Sequence, residues 1–76
     1  MVNPKEILNK LKWDKDYKIE LAEIWYVHRG AQNDTKIVSG KDIIKLGRSF
    51  MHTIDAAIPY HRIFKIVYNK KIIFKR

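Results

Sequence analysis

The stretch "IPYHRIFKIVYNKKIIFKR" at the end of the chain restricts the fold more than any other. Two runs rich in β-branched and aromatic residues, "YHRIFKIVY" and "KIIFKR", flank Asn69-Lys70-Lys71 and predict an antiparallel hairpin. The first run does not alternate cleanly. Strict period-two geometry puts Ile58, Tyr60, Arg62, Phe64 and Ile66 on one face and Pro59, His61, Ile63, Lys65 and Val67 on the other, so each face mixes apolar and charged groups. A bulge near Arg62 or Ile63 resolves the conflict, because one extra residue lets Ile63 and Ile66 both enter a core and re-aims His61-Arg62. Unbroken pairing from Tyr60 to Tyr68 would exclude it.

The other segments are shorter. "NPKEILNKLKW" predicts a helix: Asn3 is the cap, Pro4 fits the first turn, Glu6 stands three residues after the cap, and Ile7, Leu8 and Leu11 share a face. "KIELAEIWYVHR" alternates as a strand, with Ile24, Tyr26 and His28 on one side and Glu23, Trp25, Val27 and Arg29 on the other. The turn-forming "GAQND" joins it to "TKIVS", a partner strand. Ser39 and Asp42 predict a short helix over "KDIIKL" that Gly47 ends, and "RSFMHTI" fits either a strand or a continuation of that helix. Pro59 marks a strand start or an edge. The expected fold class is α+β: a curved antiparallel sheet of about four to five strands packed by one or two helices. Residues 1–76 are expected to form one domain, near the lower size limit for a core without disulfides or metals.

With no cysteine, there is neither a disulfide framework nor a thiolate metal site, and a cytoplasmic setting is expected. Neither a signal-peptide core nor a membrane-length apolar run is present, so no membrane partner is expected. The net charge of +8 is lopsided. From Met1 to Thr35 six basic residues balance six acidic ones, whereas from Lys36 to Arg76 ten basic residues face only Asp42 and Asp55. That asymmetry favours an anionic partner, nucleic acid first.

The dipeptide His-Arg occurs twice, at His28-Arg29 and His61-Arg62. Only four arginines stand against twelve lysines, and two of the four follow a histidine. A guanidinium grips two phosphate oxygens at once and an imidazole adds a donor, so these four residues suit a pocket for a phosphorylated end. The three histidines have no metal-ligand spacing, and no serine lies in a nucleophile motif. No cofactor and no catalytic group is therefore expected. His28 with His61 could serve as general base and acid across a phosphate, but the paired His-x-Thr or His-x-Ser of two-histidine phosphoesterases is missing. Trp25, Tyr26 and Tyr60 offer flat faces for an unstacked base, although strand aromatics are more often core.

Taken in order, "HRGA", "SGKDI", "IPYHRI" and the terminal "FKR" resemble the RNA cyclic-group end recognition domain, a small archaeal and eukaryotic family. The resemblance runs from Trp13 to Arg76, with "IPYHRI" its most specific part. It implies recognition of RNA ends bearing a 2′,3′-cyclic phosphate and partnership with RNA-repair or RNA-processing enzymes. Carried onto this chain, it implies a site lined by His28, Arg29, Tyr60, His61, Arg62 and Arg76. The resulting expectation is a non-catalytic module that binds an RNA 3′ end. Two readings compete with it: a small metal-independent RNA phosphodiesterase using His28 and His61, and a structural protein-interaction domain.

Overall fold

The computed structural model describes residues 3–76. Helix α1 spans Pro4–Trp13. Its start is set as the sequence indicates: the Asn3 side-chain oxygen accepts the Glu6 N–H at 2.9 Å, and proline occupies the first turn, where no N–H is needed. Leu8 and Leu11 are buried on its inner face, and Ile7 packs beside them.

Among the described residues seven strands follow, β1 (Ala22–Val27), β2 (Thr35–Ser39), β3 (Ile43–Leu46), β4 (Phe50–Thr53), β5 (Ala57–Pro59), β6 (Ile63–Tyr68) and β7 (Lys71–Lys75). They form two antiparallel sheets rather than one. The larger has the order β2-β1-β6-β7 and the smaller β3-β4-β5. Pro59 lies in β5, an edge strand of the smaller sheet, where its missing N–H costs no ladder bond.

Three local expectations are corrected or refined. The segment "KDIIKL" is not a helix: Gly40–Asp42 makes one 3-10 turn, and Ile43–Leu46 is β3. A helix this short gains little over its nucleation cost, whereas Ile43 to Leu46 gain ladder bonds to β4 and a place beside the core. "RSFMHTI" holds strand β4 over Phe50–Thr53. Finally, β6 begins at Ile63, and Tyr60–Arg62 is a 3-10 turn in front of it.

The bulge exists, one residue beyond the expected place. Trp25 pairs with Lys65 and Tyr26 with Ile63, so Phe64 is the extra residue. Ile63 and Ile66 are both fully buried as a result. The β6–β7 hairpin turns through Asn69 and Lys70, both at positive φ (49° and 69°), the geometry of a two-residue turn that matches strand twist.

One apolar core joins all the elements. Leu8 from α1, Ile24 from β1, Met51 from β4 and Ile63 and Ile66 from β6 are its fully buried large side chains. Burying each contributes roughly 1.5–3 kcal/mol. Helix α1 covers only one face of the larger sheet. On the other face Trp25 is half-buried, and Ile37 (52% exposed) and Ile72 (57%) meet solvent.

Candidate functional site

The site is built where β1 stops. Alternation turns Ala22, Ile24 and Tyr26 inward, and His28 is next in that series. Tyr26 and His28 meet edge to face, with ring centroids 6.2 Å apart. The loop after His28 is fixed by its own backbone and by the Asp34 side chain. The His28 N–H donates to the Asp34 carbonyl at 2.8 Å, the Ala31 N–H to the His28 carbonyl at 3.2 Å, and the Gly30 N–H to the Asp34 carboxylate at 3.3 Å. Gly30 sits at φ 93°, a conformation that a side chain would strain.

Antiparallel pairing of Tyr26 with Ile63 brings the end of β1 against the start of β6, and thus against the turn carrying "YHR". His28 and Arg62 then line one cleft of about 180 Å³, with Tyr26 and Val27 on one side and Ala57 and Pro59 on the other. Arg29 and His61, the other halves of the two dipeptides, are exposed and lie outside the lining of that cleft. The doubled His-Arg thus contributes one residue from each copy.

The turn that presents Arg62 is held from two sides. The Tyr60 hydroxyl donates to the Gly47 carbonyl at 2.7 Å, and the Tyr60 N–H donates to the Ser49 carbonyl at 3.2 Å. Burial pushes the Tyr60 phenol above its ordinary pKa, keeping it a neutral donor. Arg76 supplies the second support. Its Nε donates to the Ile63 carbonyl at 2.9 Å, its Nη2 to the Tyr60 carbonyl at 3.3 Å, and its backbone N–H to the Phe64 carbonyl at 2.9 Å. Tyr60 and Arg76 therefore grip the backbone of the turn, and neither is among the residues lining the cleft.

Sequence reasoning did not single out Val27, Ala57 or Pro59 as walls of this cleft. Nor did it single out Asp55, whose negative charge adds to burial in raising the Tyr26 phenol. A bare run such as "DAA" carries no chemical signal, and only the pairing of β5 with β4 brings it here. Among the described residues no group of three or more His, Asp or Glu side chains is placed to hold a metal ion, and no helix is long and apolar enough to cross a membrane.

A two-sheet α+β scaffold whose small cleft is furnished with one guanidinium and one imidazole defines a basic domain suited to a compact anionic group. The chain belongs to the family described as the MJ1316 RNA cyclic group end recognition domain, whose model matches residues 1–76. It is 46% identical over 74 residues to the UPF0248 protein MMP0286 of Methanococcus maripaludis, covering 95% of this chain and 96% of that one. It is 43% identical over 75 residues to the UPF0248 protein MJ1316 of Methanocaldococcus jannaschii, covering 95% and 91% of the two chains. A UPF0248 protein of Archaeoglobus fulgidus is 31% identical over 70 residues, covering 91% and 99%. No solved structure matches the chain significantly.

Proposed function

We propose that the protein is a non-catalytic RNA-binding module that grips a 3′ end closed as a 2′,3′-cyclic phosphate. The observation that carries this reading is the convergence of His28 and Arg62 on one cleft at the meeting of β1 and β6. A cyclic phosphate presents one negative charge and two non-bridging oxygens. Arg62 can fork onto both oxygens and the His28 ring can donate a further hydrogen bond, with no need of a metal. At about 180 Å³ the cleft falls below the roughly 300 Å³ at which small-molecule pockets begin, so it suits a phosphate group rather than a whole nucleotide.

The remaining candidates take secondary parts. Arg29 and His61, exposed beside the cleft residues in sequence, meet backbone phosphates at its rim. Tyr60 and Arg76 are positioning residues, acting through the turn that they hold. The family name supports RNA with a cyclic-group end as the partner, and an RNA-repair or RNA-processing enzyme would supply or consume such an end.

The test compares matched RNA oligomers ending in cyclic phosphate, 3′-phosphate or hydroxyl, with mass spectrometry of the recovered RNA. The cyclic end is expected to bind most tightly and to be recovered intact. Equal affinity for all three ends overturns end recognition. Ring opening abolished by His28→Ala or His61→Ala would make the protein a phosphodiesterase instead.

A further inference from the structure

The uncovered face of the larger sheet carries a second feature that the end cleft does not use. A groove of about 630 Å³ lies beside Trp25 and Phe64, with Lys36 and Lys65 and the side-chain amides of Gln32 and Asn33 along it, and no carboxylate among the described residues that line it. It combines two aromatic rings, two amides able to donate and accept, and two cations. We propose that it seats an unstacked nucleobase of the single-stranded RNA leading into the end cleft, a subsite resting on the RNA reading above.

Four observations select that occupant. First, the bulge turns Phe64 out of the core and into the groove, while Lys65 stays opposite Trp25. Second, the indole Nε1 is buried with no hydrogen-bond partner among the described residues, so Trp25 offers a ring surface rather than a donor, which suits any base. Third, the Lys65 ammonium lies 3.7 Å from the Trp25 ring centroid. A flexible cation parked over an aromatic face leaves readily for a phosphate, and its departure opens that face to a planar group. Fourth, Phe64 is two residues from Arg62 and Trp25 three from His28, so groove and cleft lie at the same end of the β1–β6 pair.

A second copy of the chain fits this face poorly. A two-fold contact would set Lys36 and Lys65 near their own duplicates in a molecule already carrying +8. Single-stranded RNA brings the opposite charge together with flat bases.

The experiment uses the full chain with Trp13→Phe. Trp13 is 74% exposed, so the change spares the core and leaves Trp25 as the only indole. Titration with a short oligouridylate ending in cyclic phosphate or in hydroxyl is expected to quench Trp25 emission with both ends. Trp25→Leu in otherwise native protein is expected to weaken binding of both oligomers by about 5- to 150-fold, the usual cost of losing one base–aromatic stack. Phe64→Leu, a milder change, should weaken both in the same sense if the folded circular dichroism is retained. Arg62→Ala should remove only the preference for the cyclic end.

Binding that prefers the cyclic end yet leaves Trp25 emission and Trp25→Leu affinity unchanged overturns the base subsite and spares end recognition. Quenching without end preference supports the subsite and overturns end recognition. No binding of any oligomer at low salt overturns both. A dimer in sedimentation that Trp25→Leu dissociates gives the face to a second copy and overturns the subsite.

Discussion

At the scale of single residues, the guanidiniums of Arg62 and Arg76 stand in different surroundings. Arg62 lines the cleft, whereas Arg76 is engaged with the carbonyls of Tyr60 and Ile63. Arg62→Ala is expected to weaken cyclic-end binding about 10- to 100-fold, the range for hydrogen bonds to a charged group, as read by titration with end-matched oligomers. Arg76→Lys keeps the charge but cannot bridge two carbonyls in a fork. It should lower affinity for the cyclic end while leaving the slope of affinity against salt unchanged, a pattern that simple loss of a phosphate contact would not give. Tyrosines 26 and 60 set the alkaline limit. Both phenols are raised above the ordinary value of 10.0 by burial, so their stabilising effect is complete below that pH and fades as pH rises through the folded values. Thermal melts should therefore fall above about pH 10, and Tyr60→Phe should flatten that fall. At neutral pH the same change costs about 1–3 kcal/mol, since the Gly47 carbonyl loses its donor.

Elements show where composition stops deciding. The helix, the β1 alternation and the terminal hairpin were all legible, because caps, period-two burial and turn residues act over a few positions. Segment "SGKDI" was not. Its serine does cap a turn, the Ser39 hydroxyl accepting the Lys41 N–H at 3.3 Å, but the turn is a single 3-10 one that feeds a strand. Gly40 is the reason for the motif's glycine: a Cβ there would collide with the Ile19 carbonyl. Gly40→Ala is expected to destabilise the fold by about 3 kcal/mol, measured by denaturant titration. Opposite in sign is Lys70→Gly. Lys70 holds φ 69° in the hairpin turn, and relieving that left-handed backbone should stabilise by about 1 kcal/mol.

For the whole molecule, the charge excess and the site lie in one arrangement. The basic second half supplies the turn, β6 and β7, and on the proposed function its lysines would attract an RNA strand without choosing a sequence. The logarithm of affinity should fall against the logarithm of salt concentration with a slope of about −2 to −3, as for three or four phosphates on single-stranded RNA. Length, charge balance and local periodicity are enough to fix an α+β class and the uneven placement of the positive charge, and the broken alternation of "YHRIFKIVY" is enough to require an irregularity in β6, because each is written in residues near one another in the chain. Separation of the strands into two sheets was not legible, since "KDIIKL" carries the cap signals of a helix and shows itself as a strand only in its ladder with β4. Nor was the choice of one histidine and one arginine from two identical dipeptides. That choice follows from the pairing of Tyr26 with Ile63, a contact between segments more than 30 residues apart that no local pattern records, which sets where the extra residue of the bulge falls and where the turn carrying Arg62 lies.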